Sequence, residues 1–168
     1  MKNEILIIAL AACLAGCAGS VSAPKSIQGL SAMQKGALHL SDVSADAADG
    51  IEMGDTDFAR ISQLVRMYIQ SDAPSVLSGP VDGGAYKMKI HFTRYDRGSA
   101  LARGLLIGLG QIRIEATVYI MDAGDRAVGQ YAVSKDFALG GVIGATTTVE
   151  DVENGFAKSV AEIVKPAI

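Results

Sequence analysis

The stretch IRIEATVYI, Ile112 to Ile120, alternates apolar and polar residues without a break. Ile112, Ile114, Ala116, Val118 and Ile120 share one side, and Arg113, Glu115, Thr117 and Tyr119 the other. A period of two is that of a half-buried β-strand. YKMKIHF repeats the pattern, with Tyr86, Met88, Ile90 and Phe92 facing one way and Lys87, Lys89 and His91 the other. DAGDR, Asp122 to Arg126, is a glycine-containing connection, so AVGQYAVSKDF returns antiparallel as a hairpin partner.

The remaining elements have a different period. Phe58, Ile61, Val65 and Tyr68, with Leu64 and Ile69 beside them, recur at helical spacing between Asp57 and Ser71. Asp55 or Thr56 can cap that helix and Pro74 closes it. A last helix opens at Thr147 and Thr148, each three residues before a carboxylate, and buries Val149, Val152, Phe156, Val160 and Ile163. Lys165 suits its C-terminal end and Pro166 stops it. ALHLSDVSADA, Ala37 to Ala47, makes a first strand. The expected fold is α/β in the α+β sense. It is a single small domain with an about four-stranded, mixed or antiparallel sheet, two helices on one face, and the order β-α-β-β-β-α.

The N-terminus reads as an address. Ile5 to Gly16 is too short for a membrane span of roughly 20 apolar residues. Lys2, the apolar run Ile5 to Ala12 and the small pair Ala15-Gly16 have signal-peptide architecture. Leu14-Ala15-Gly16-Cys17 resembles a bacterial lipobox, which implies lipidation of Cys17 and a membrane-tethered mature chain. Leu10-Ala11-Ala12-Cys13 fits the same pattern, but cleavage there would leave a very short apolar region, so Cys17 is preferred. Ala18 is not the Asp that usually retains lipoproteins at the inner membrane, so the outer membrane, facing the periplasm, is the expected location. Residues 1–16 are then the signal peptide, 17–35 a small, polar, flexible tether and 36–168 the periplasmic domain. With both cysteines in the leader region, no intrachain disulfide is available to the mature domain. The net charge of −3 disfavours nucleic acid as a partner.

Two stretches obey neither period: GSALARGLLIGLG, Gly98 to Gly110, and ALGGVIGATT, Ala138 to Thr147. They are too glycine-rich for regular elements and too apolar for ordinary surface loops. The hairpin brings both to one end of the sheet. Neither contains a Gly-Lys-Ser/Thr or a complete GxGxxG, which argues against nucleotide binding. Two readings stay open. Leu105, Leu106, Ile107 and Leu109 fill the end of the core, or these residues with Val142 and Ile143 form a patch for a partner or the lipid interface. Arg94, Arg97 and Arg103 bracket the first loop. All three could meet an acidic partner or lipid phosphates, or simply pair with Asp96 or Glu115.

No catalytic constellation is legible. His39 and His91 lack zinc-site spacing, no G-x-S-x-G occurs, and the carboxylates from Asp42 to Asp57 lack calcium-loop order. The expectation is a protein that is not an enzyme and needs no cofactor or metal.

RYDRGSALAR, then LIGLG leading into QIRIEATVYIMDAGDRAVG, then GGVIG before an amphipathic helix, together resemble the bacterial lipoproteins grouped as domain of unknown function 4410. The likeness covers about residues 37–165 and implies location and fold, since that family carries no established activity. The element order is also similar to small periplasmic lipoprotein domains of curli-secretion and polysaccharide-export assemblies and of penicillin-binding-protein activators, a likeness of fold alone. Two functions remain in view. One is a non-enzymatic binding or assembly component of the envelope, with a homo-oligomer or an envelope protein as partner. The other is a tethered carrier or sensor of a small ligand.

Overall fold

The alternating runs pair edge to edge into one mixed sheet. The computed structural model of the chain describes residues 23–78, 85–101, 110–138 and 146–165. The strands are β1 (Lys25–Gln28), β2 (Leu40–Ala47), β3 (Tyr86–Asp96), β4 (Ile112–Met121) and β5 (Ala127–Phe137). The helices are α1 (Ala32–Gly36), α2 (Asp55–Asp72), α3 (Ser75–Ser78) and α4 (Val149–Glu162). The sheet order is β1-β5-β4-β3-β2. β3, β4 and β5 form an antiparallel meander, and β2 lies parallel to β3. A parallel pair needs a crossover, and α2 supplies it.

The expected four strands become five because part of the expected tether is built into the sheet. Residues 25–28 pair antiparallel with β5, and residues 32–36 form a short helix with Ser31 and Gln34 as a reciprocal cap. The segment lacks a hydrophobic period, yet an edge strand needs only backbone donors and acceptors and one anchor. Leu30 is that anchor. It is buried, its N–H donates to the Tyr131 hydroxyl at 3.0 Å, and a Cβ on Gly129 would come within 3.0 Å of its side chain.

α2 and α4 pack on one face of the sheet and against each other. α2 buries Asp57, Ile61, Val65 and Ile69, a strict four-residue ridge, while Phe58, Leu64 and Tyr68 are only partly buried beside it. α4 buries Val152, Phe156 and Val160 together with the charged Glu153. Phe156 meets Phe92 of β3 with ring centroids 5.5 Å apart. The caps differ in kind. α4 opens on Thr148, whose hydroxyl accepts the Asp151 N–H at 3.3 Å. α2 opens on Gly54 rather than on Asp55 or Thr56, because the Asp57 carboxylate accepts the Gly54 N–H at 3.1 Å and so satisfies that donor from inside the helix.

One irregularity changes which residue at the end of β3 points into the core. The β3–β4 register slips between Phe92 and Arg94. Met88, Ile90 and Phe92 face the helices, and without the slip Arg94 would be next. The bulge turns Tyr95 inward instead and leaves Arg94 exposed.

Candidate functional site

β2 and β3 end, β4 begins and β5 ends at the same edge of the sheet, and both long helices start there. The two glycine-rich stretches are joined to that edge, as the hairpin reading requires. Of the first stretch, Gly98 to Leu101 and Gly110 are described. Gly98 and Gly110 have φ of 64° and 67°, a region that L side chains rarely adopt. Between them the Ser99 N–H donates to the Gly110 carbonyl at 3.2 Å, which closes the base of the loop. Leu101, just inside that base, is 75% exposed.

Beneath the loop base lies a connected set of charges. Glu153 of α4 is fully buried. Arg60 of α2 donates to its two oxygens, from Nε at 2.9 Å and from Nη2 at 2.7 Å. The Tyr95 hydroxyl donates to the same carboxylate. Arg60 also donates to Asp57 at 2.8 Å, and Asp57 accepts from Arg97 at 3.0 Å. The Arg97 guanidinium lies 5.4 Å from the centroid of the Tyr95 ring. Two carboxylates and two guanidiniums thus tie the starts of both helices to the end of β3.

The protonation equilibria reflect this geometry. The hydrogen bonds to Glu153 hold the Arg60 proton more tightly than usual, against burial. Burial first, and then the bond to Glu153, push the Tyr95 hydroxyl up. Burial tends to raise Asp57, but the Gly54 N–H, Arg60 and Arg97 outweigh it and hold the carboxyl below its ordinary value.

Of the residues singled out from sequence, Arg97 is placed by the structure. It pairs with Asp57 rather than with Asp96 or Glu115. Arg94 takes Asp96, at 2.6 Å. Cys17, Arg103, Leu105, Leu106, Ile107, Leu109, Val142 and Ile143 lie outside the described residues. His91 and Lys89 both pair with Asp46 at 2.8 Å on the open face of the sheet, and His39 contacts the Ser75 carbonyl at 3.1 Å. Among the described residues no group of His, Cys, Asp and Glu side chains could hold a metal ion, and no helix is long and apolar enough to cross a membrane. Sequence reasoning misses Tyr95, Arg60 and Glu153. The available signal is Glu153 itself, a carboxylate in phase with Val149, Phe156 and Val160.

The profile of the family described as domain of unknown function (DUF4410) matches residues 39–141, more than half of the chain. The chain belongs to the DUF4410 family. No curated protein matches this DUF4410 chain. Among solved structures it is similar in fold to a PelC dodecamer from Paraburkholderia phytofirmans, at 9% identity and a TM-score of 0.56, over 90% of this chain and 96% of that one. A leucine-to-methionine variant of the same PelC, also a dodecamer, aligns at 7% identity and a TM-score of 0.55, over 86% and 98% of the two chains. A candidate lipoprotein from Caulobacter crescentus CB15 aligns at 17% identity over 71% and 82%, with a TM-score of 0.41, too low to argue from.

Proposed function

We propose that this DUF4410 chain is a lipoprotein anchored in the outer membrane through Cys17, facing the periplasm, and that it works by binding rather than by catalysis. It serves as an assembly or binding component of the envelope, with the glycine-rich end of the sheet as its contact surface. The observation that carries this reading is the exposed Leu101, held between two left-handed glycines on a base that is closed by a backbone hydrogen bond and seated beside a charge network. An exposed apolar side chain beside polar groups is what a partner-binding surface offers. The end-to-end fold likeness to chains that form dodecamers supports self-association as the first interaction to test. The non-enzymatic reading is supported by the network itself. Tyr95, Glu153, Arg60, Asp57 and Arg97 are occupied with one another, so none is presented as a base or nucleophile.

A second reading rests on a separate feature. A groove of about 450 Å³, lined by Glu52, Tyr95, Asp96, Arg97, Gly98 and Gln111, opens beside the network. It is a polar opening, with Glu52 and Asp96 beside Arg97, and offers the space that a tethered carrier or sensor of a small ligand would require.

The deciding measurement is the solution mass of residues 18–168 without lipid, by light scattering, for the wild type and Leu101→Asp. A defined oligomer that Leu101→Asp dissolves, with the circular dichroism unchanged, supports the assembly surface. A wild-type monomer that Leu101→Asp leaves unaltered overturns self-association through this end.

A further inference from the structure

We infer that the β1–α1 strip is a membrane-contact element, which brings Lys25, Ile27 and Met33 to the anionic headgroup surface. The inference rests on the proposed lipidation of Cys17 and goes beyond it, because it fixes which side of the domain meets the bilayer. Three observations converge on it.

The first is reach. Lys25, the first residue of β1, is eight residues after Cys17. A fully extended chain spans about 3.3–3.6 Å per residue, so β1 lies within roughly 29 Å of the anchored cysteine. β1 is no loose tether that would let the domain drift from there, since it pairs with β5 and Leu30 locks it over Gly129.

The second is exposure. Ile27 is 57% and Met33 85% exposed, and among the described residues the large apolar side chains this open to solvent are these two, Met67 and Leu101. Two within seven residues of sequence, next to the anchor, suit the shallow apolar layer of a bilayer interface. The third is charge. From Ala18 to Ser41 there is no Asp or Glu, while Lys25 and Lys35 flank the two apolar residues, although the whole chain is net negative. A basic segment beside a lipid chain is drawn to anionic headgroups.

The test uses the full lipidated chain in vesicles of phosphatidylethanolamine and phosphatidylglycerol. The mature chain carries Cys17 as its one cysteine, so Met33→Cys, Ile27→Cys and Met67→Cys each add a single free thiol for an environment-sensitive dye. The dyes at 33 and 27 are expected to shift to the blue and to be quenched by headgroup-labelled nitroxide lipid, and the dye at 67 on α2 to do neither. Lys25→Glu is expected to remove at least half of that quenching, since a lysine near an anionic surface shifts the contact equilibrium about fivefold. Vesicles that carry the protein while position 33 quenches no more than position 67 overturn the contact element and leave the anchor standing. A chain that does not float with the vesicles overturns the anchor, and the contact element with it.

Discussion

Tyr95 donates its hydroxyl to the buried carboxylate of Glu153, 58 residues further along the chain. The bond exists because the slip after Phe92 turns Tyr95 toward the helices, and because Glu153 stands on the inner side of α4 one turn before Phe156. Arg60 then closes the arrangement from α2. The helices are therefore joined to the end of β3 by polar bonds beside the packed rings of Phe92 and Phe156.

Removing one partner leaves the others buried without it. Glu153→Ala is expected to destabilise the domain by about 3 kcal/mol, the usual cost of breaking a buried ion pair from one side. Tyr95→Phe is expected to cost about 1 kcal/mol. In urea unfolding, Arg60→Met with Glu153→Met should fall short of the sum of the single losses by about 1–3 kcal/mol. Additive losses would show that the pair does not act as a unit.

Asp57 sets a pH dependence. Its folded-state value lies below the ordinary 3.8, so its contribution is complete above 3.8 and is lost as pH falls through the lower folded value. The thermal midpoint is expected to drop below about pH 4. Asp57→Asn should give a lower plateau at neutral pH and a shallower acid loss. It will not abolish that loss, because Asp46, Asp72 and Asp122 are also held low. An unchanged slope would remove Asp57 from the account.

The edge strand depends on few contacts, which makes it separable. Leu30→Ala is expected to cost about 2–3 kcal/mol, at the low end for a large-to-small change because the site lies at an edge. Tyr131→Phe, which takes the acceptor from the Leu30 N–H, should cost about 1–2 kcal/mol. Hydrogen exchange should locate both effects, with amides of residues 26–30 exchanging faster and those of β3 and β4 little changed. Uniform acceleration across the sheet would mean that β1 is not a separate unit.

Gly155, in the middle of α4, marks the path of Lys135. A Cβ there would stand 3.0 Å from Lys135 Cε, and Lys135 is itself largely buried on the helical face. An alanine in a helix is worth about 1 kcal/mol over glycine. Gly155→Ala should therefore gain little or lose stability in the wild type, yet gain close to 1 kcal/mol in a Lys135→Ala background. Equal effects in both backgrounds would show that the lysine yields freely.

The framework is legible in the sequence wherever a period is sustained. β3, β4, β5, α2 and α4 each fall where alternation or helical spacing places them, and residue spacing narrows the α4 cap to Thr147 or Thr148, of which the structure selects Thr148 with Asp151. β1 is not legible, since an edge strand four residues long is held by backbone pairing and by Leu30, and neither leaves a repeat. The Asp57 cap is hidden because its carboxylate works from inside the helix.

The charge network lies wholly beyond such reading. By itself the sequence determined the main secondary structure, the order of those elements and the gathering of two glycine-rich stretches at one sheet end, because hydrophobic period and chain connectivity are local properties. The tertiary structure alone decided that Tyr95 and not Arg94 turns inward, that Arg97 reaches Asp57 across 40 residues, and that Arg60 and Glu153 meet across 93. A single-residue slip between strands exchanges the faces of a sheet, and only the packing of α2 and α4 against the sheet selects it.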